Sequence, residues 1–152
     1  MNNPYEILVQ LRREAYRKKT GKQPHRYFEQ EFKVTKPKSA AQLESLIIEY
    51  LNLKGGCFFK VSVTGRQVFK QHQVKDVVGR ERTMTEHKYI PSTTRKGVAD
   101  IVGTYKGKAV AIEVKFSGDR LSDDQKKFRD DWQNSGGMHY VIKTFEDIVE
   151  LI

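Results

Sequence analysis

The chain is short of several things at once. It has one cysteine, Cys57, so no internal disulfide can form, and the setting expected is reducing and intracellular, hence cytoplasmic. Its four histidines, His25, His72, His87 and His139, are scattered; no Cys/His spacing has the form of a zinc site, and the four read as surface or satisfied core residues. No apolar run approaches the roughly 20 residues of a membrane span, and the amino terminus lacks a signal-peptide apolar core. Internal repeats and low-complexity tracts are also missing. A chain of 152 residues fits one domain, large enough to bury about 70% of its unfolded surface.

Acidic residues are scarce relative to basic ones: 28 Lys and Arg stand against 19 Asp and Glu, a net of +9. The excess is uneven. Residues 1–38 hold ten basic and four acidic residues, residues 66–96 eight and three, and residues 119–152 five and eight. Two basic segments in one small chain point to a polyanionic partner, nucleic acid. In the second segment Arg80, Arg82, Arg95 and Lys96 are candidate phosphate contacts. Ser92, Thr93 and Thr94 lead into Arg95-Lys96-Gly97, a mixture of hydroxyls, cations and glycine suited to gripping a phosphate.

The chain is organised around Gly97–Lys115, two short apolar runs joined at Lys106-Gly107. Xaa-Gly between apolar runs is a hairpin signal, because tight hairpin turns require positive φ. With those two residues as the turn, Tyr105 pairs with Lys108, and counting outward sets Asp100 opposite Glu113. Opposed residues share a face with Cβ atoms roughly 5 Å apart, and Lys115 joins that face by the period of two. Ile101, Tyr105, Val110, Ile112 and Val114 form the other, core-facing side. Two opposed carboxylates repel unless a cation lies between them, and hard oxygen ligands suit Mg²⁺ or Mn²⁺.

Asp100 followed across a hairpin by Glu113-Val114-Lys115 resembles the PD-(D/E)XK nuclease motif. Gly118-Asp119-Arg120-Leu121-Ser122-Asp123-Asp124-Gln125 and Ser135-Gly136-Gly137 resemble its VRR-NUC branch. Val98-Ala99 departs from the branch, which more often has Pro or Ser before the Asp, and so does the long insertion ahead of Gly97. The resemblance implies a restriction-endonuclease-like α/β core and Mg²⁺- or Mn²⁺-dependent cleavage of DNA to 5′-phosphate and 3′-hydroxyl ends. It implies metal binding by Asp100 and Glu113, with Glu44 and the Val114 carbonyl assisting. Lys115 would position the attacking water or stabilise the transition state, and Gln125 would contact water or phosphate. Lys60 would lie near the DNA backbone. Standalone relatives suggest a homodimer on double-stranded or branched DNA, such as a junction.

The remaining elements follow from caps and periods. Asn3-Pro4 opens a basic helix with Ile7, Leu8, Leu11 and Ala15 as its apolar stripe, either a DNA-contacting arm or a docking helix. Residues 1–38 read as a basic extension and 39–152 as the nuclease-like domain. A short helical or extended piece is expected near Tyr27–Phe32. Ser39 to Gln42 is a capping box before a helix running to about Lys54, with core stripe Leu43, Leu46, Ile47, Tyr50 and Leu51. Glu44 falls at the edge of that stripe, while Glu49 points almost the opposite way and is expected to be solvated. Cys57–Thr64 is the first strand. Residues 66–96 show no clear period and read as a long basic substrate loop, with short strands at Gln67–Phe69 and Glu86–Ile90. Ser122 to Gln125 caps a helix whose face carries Gln125, Phe128 and Trp132, Met138–Lys143 is a buried strand, and Thr144 caps the last helix. The order from residue 39, αβββαβα, predicts helices flanking a mixed sheet of about four strands. On the residues alone a non-cleaving nucleic-acid-binding module and an RNA-directed nuclease stay open.

Overall fold

The computed structural model describes residues 3–25, 30–62, 65–75, 79–90, 95–116 and 118–152. Its contacts divide the chain into two compact units, residues 62–96 and the rest. The larger unit contains helices α1 (Pro4–Thr20), α2 (Ala40–Leu53), α3 (Asp123–Asn134) and α4 (Phe145–Leu151) and strands β1 (Cys57–Lys60), β4 (Ile101–Tyr105), β5 (Lys108–Val114) and β6 (Met138–Ile142). The smaller one contains β2 (Arg66–Lys75) and β3 (Glu81–Ile90).

The four strands of the larger unit form one mixed sheet in the order β1-β4-β5-β6, antiparallel except for the parallel β5–β6 pair. Its centre is the hairpin expected from Lys106-Gly107: Tyr105 pairs with Lys108 and Ile101 with Ile112. Lys106 and Gly107 take φ of 47° and 77°, the doubly left-handed turn whose twist matches the flanking strands. Ile101, Val110, Ile112 and Val114 are buried on one face with Leu8 of α1, Leu43, Ile47 and Leu51 of α2, and Phe145 and Ile148 of α4. On the other face Ala99 and Ala111 lie under Phe128 of α3, with Val102 and Trp132 at the margin. The result is a sheet covered by helices on both faces, consistent with a restriction-endonuclease-like core.

Several expectations need correcting. α1 docks through Leu8, which is fully buried. Glu49 is not simply solvated: Arg12 of α1 holds it in a two-point ion pair, Nε to Oε1 at 2.6 Å and Nη2 to Oε2 at 2.7 Å, while Nη1 donates to the Lys33 carbonyl. The planar guanidinium can meet a carboxylate and a carbonyl at once. Ser39 caps α2 by accepting from the Gln42 amide, but Gln42 Oε1 turns back to Lys38 N at 2.8 Å, not to Ser39, so the box is open by one residue. β1 stops at Lys60 because its partner β4 begins at Ile101; Thr64 lies outside the described residues, as does Tyr27 of the expected 27–32 piece, of which residues 30–32 form a short 3₁₀ turn.

The largest departure lies within residues 66–96: the short strands expected at Gln67–Phe69 and Glu86–Ile90 are parts of two long ones, Arg66–Lys75 and Glu81–Ile90, in place of the expected loop. β2 and β3 pair over ten residues each, from Arg66 with Ile90 to Lys75 with Glu81. Every residue of β3 is exposed. With neither face buried, nothing forces apolar and polar residues to alternate, so the strands leave no period in the sequence.

Candidate active site

The site forms at the end of the sheet where β1 and β5 finish and β4 begins. Asp100 and Glu113 stand one step past the last ladder pair, Ile101 with Ile112. There a side chain takes over from the backbone: Asp100 Oδ2 accepts from the Val114 amide at 2.9 Å. The Asp100 carbonyl meanwhile accepts from Val61 N at 2.8 Å. Asp100 is thus tied to both neighbouring strands.

Glu113 is 1% exposed. Its Oε1 contacts Lys115 Nζ at 2.9 Å and accepts from Gln125 Nε2. Lys115 Nζ donates in turn to Gln125 Oε1 at 3.0 Å, and the same oxygen accepts from Ser122 N at 2.9 Å. Two donors converging on Oε1 fix the orientation of the amide. Gln125 therefore completes the cap of α3 and bridges Glu113 to Lys115 with one side chain. Gly97 sets this arrangement: at φ +73°, a Cβ there would strike the Asp124 carbonyl group and the Gln125 amide. Glycine lets the segment leading to Asp100 lie directly against the first turn of α3.

Burial raises the Glu113 pKa above the ordinary carboxylate value; the hydrogen bond from Lys115 lowers it, and the charges of Asp100 and Glu44 raise it further. Glu44, 8% exposed, arrives from α2. Its Oε2 lies 2.5 Å from Lys60 Nζ on β1. That contact, with the charges of Glu44 and Asp100, raises the Lys60 pKa. Glu44, Asp100 and Glu113 thus share one electrostatic neighbourhood, offset by Lys60 and Lys115. Lys60, expected near the nucleic acid, is held by Glu44 and keeps half of its side chain exposed.

Among the described residues no three Asp, Glu, His or Cys side chains form a ready metal cage. The donor set still suits a hard cation. Glu113 Oε2 is buried without a hydrogen-bond partner among the described residues, which is costly unless something else binds it. Its neighbours offer carboxylate oxygens, the donors that Mg²⁺ and Mn²⁺ prefer.

Arg80, Arg82, Arg95 and Lys96 are exposed and belong to the smaller unit; Ser92, Thr93 and Thr94 lie outside the described residues. Two positioning residues escaped the sequence as parts of the site. Ser122 was legible as the cap that pairs with Gln125 and Gly97 as the start of the hairpin and part of a phosphate-gripping run, but the approach of Gly97 to the first turn of α3 was not.

An acidic pair on a hairpin, a lysine two residues on, and a helix glutamine joining them form the arrangement that the PD-(D/E)XK resemblance leads one to expect. The model of the VRR-NUC domain matches residues 38–145, and the chain belongs to that family. No curated protein and no solved structure matches it. Membership makes the chain a nuclease-type hydrolase acting on nucleic acid. No described helix is long and apolar enough to cross a membrane.

Proposed function

We propose that the chain is a divalent-metal-dependent DNA endonuclease with a preference for branched or double-stranded DNA. The observation that carries this reading is the locked set of Glu113, Lys115 and Gln125 beside Asp100, with Glu113 Oε2 buried and unpartnered. Asp100, Glu113 and Glu44, with the Val114 carbonyl, would hold Mg²⁺ or Mn²⁺. When bound, such an ion neutralises phosphate charge and makes a coordinated water more acidic.

The chain's own groups do the rest. An ammonium has three donors; Glu113 and Gln125 occupy two of those on Lys115. The third is available to a phosphoryl oxygen or the attacking water, and its charge stabilises the developing negative charge. Gln125 keeps Lys115 from swinging toward solvent. Water oxygen forms the new bond to phosphorus, the bond to the 3′-oxygen breaks, and a proton passes to that oxygen, giving 5′-phosphate and 3′-hydroxyl ends. A homodimer would place two such sites on one branched substrate.

The test is a panel of labelled junction, flap, duplex and single-stranded DNAs, with matching RNAs, each with Mg²⁺, Mn²⁺ or EDTA. Metal-dependent nicking of branched or duplex DNA is expected. Binding without cleavage on every substrate would favour a non-cleaving module, and cleavage of RNA alone would move the substrate class.

A further inference from the structure

The pairing of β2 with β3 sorts the charges of the hairpin by face. Directly opposed residues share a face, and faces alternate along each strand. Lys70 pairs with Glu86, Val74 with Arg82 and Val68 with Lys88, so Lys70, Arg82 and Lys88 lie on one side, where Glu86 offsets Lys70 and the net positive charge comes from Arg82 and Lys88. Lys75 and Glu81 pair on the opposite side, where their charges cancel. The three cations are exposed. They span six register steps, from Val68 to Val74, or about 20 Å of strand. That is the rise of about six base pairs.

An isolated two-stranded hairpin is marginal in water, and this one leaves Met84 on the Lys70 side, and Phe69 and Tyr89 on the Lys75 side, more than half exposed. It is built to meet something. A second copy laid on the same face would set its own cations against Lys70, Arg82 and Lys88. A polyanion would complement them.

Resting on the nuclease reading, we infer that the Lys70–Arg82–Lys88 face is a phosphate-backbone surface, and that the Lys75–Glu81 face takes no part in charge neutralisation. The surface is sequence-independent, because phosphate contacts carry no base information.

The experiment uses the full chain carrying Glu113→Gln, so that the probe survives, and a labelled arbitrary duplex of about 20 base pairs. Affinity is measured at several salt concentrations. Lys70→Gln/Arg82→Gln/Lys88→Gln should make the log–log salt slope shallower by about two to three. Lys88→Gln alone should shift it by about one, whereas Lys75→Gln should leave it unchanged; this matched pair decides the matter even where the triple variant folds poorly. Equal slope changes for Lys88→Gln and Lys75→Gln, or none for either, would overturn the inference. So would a change of oligomeric state in gel filtration with the slope intact, which would make the face a protein interface. Wild-type cleavage on the same duplex separates the two readings. If the chain binds without cutting but the faces differ, only the nuclease reading is lost; if it cuts while the faces behave alike, only this inference is.

Discussion

Glu113 and Lys88 are both charged residues on strands, and they work under opposite conditions. Glu113 is 1% exposed and each contact of its Oε1 is specified by a named partner. Lys88 lies on a strand with every residue exposed. In the site, function depends on position, and burial amplifies each charge because water cannot screen it. On the hairpin, function depends on the number and sidedness of charges, and position matters only to within a phosphate spacing. The two regions should therefore respond differently to the same kind of neutralising substitution.

The largest contrast lies in cleavage. Asp100→Asn and Glu113→Gln should each lower the cleavage rate by at least about a hundredfold, with binding retained or tighter because carboxylate repulsion toward phosphate is relieved. Lys70→Gln/Arg82→Gln/Lys88→Gln should weaken binding but leave single-turnover cleavage at saturating DNA near the wild-type rate. Rates measured by quenched-flow at saturation separate the two. Substantial cleavage by both acidic variants would remove Asp100 and Glu113 from the chemistry.

Next comes Gln125, where capping and bridging can be pulled apart. Gln125→Ala loses the bridge and the Gln125 half of the box, while Ser122 Oγ still accepts from the residue-125 amide, so the stability cost stays below the roughly 1 kcal/mol of a whole N-cap. Gln125→Glu keeps an oxygen for the Ser122 amide but loses the donor to Glu113 and sets two carboxylates together. Cleavage should fall at least about tenfold in both, while only Gln125→Glu keeps the acceptor for the Ser122 amide, which the urea midpoint reads. Equal midpoints and full activity in Gln125→Glu would mean that the bridge is incidental.

The contrast also explains what could be read in advance. The Lys106-Gly107 turn fixed the register, and with it Asp100, Glu113 and Lys115, because one turn determines every pair outward from it. The caps of α3 and α4 were legible because they are local. Arg12 and Glu49 are 37 positions apart, and neither caps nor periods constrain such a pair. The β2–β3 pairing was only partly legible, as short strands at Gln67–Phe69 and Glu86–Ile90, for a different reason: strand signals come from half-burial, and β3 is exposed throughout. Gln125 lay between, since its cap was visible while its hold on Glu113 and Lys115 required the fold.

Glu44 and Glu49 sharpen the comparison within one helix. Glu44→Ala should lower cleavage at least about tenfold. Glu49→Ala should leave cleavage within about twofold and instead cost about 0.5–1 kcal/mol, the worth of a partly exposed ion pair, since Arg12 keeps its bond to the Lys33 carbonyl. Cleavage assays and urea titrations on both variants check this; equal losses of activity would mean that Glu44 has no special place.

The smallest effect concerns a buried group of the larger unit outside the site. His139 on β6 is 9% exposed and meets the Phe128 ring at 6.2 Å. Its Nδ1 is buried with no hydrogen-bond partner among the described residues. Burial lowers its pKa; the charge of Arg129 lowers it further, and Asp130 opposes the shift. With the folded pKa below the unfolded one, the unfolded chain binds more protons once the pH drops below about 6.5. The neutral ring's contribution to stability is thus fully present above that pH and is lost as the pH falls toward the folded pKa. Glu113 runs the other way: its raised pKa means that acidification toward the ordinary carboxylate range relieves a cost. Stability of the wild type alone would mix the two. The difference between wild type and His139→Gln cancels Glu113, and it should favour the wild type less as the pH is lowered from 7.5 through the window below about 6.5. A difference that stays flat with pH would mean that His139 titrates alike in the folded and unfolded chain, and that its burial beside Phe128 carries no electrostatic cost.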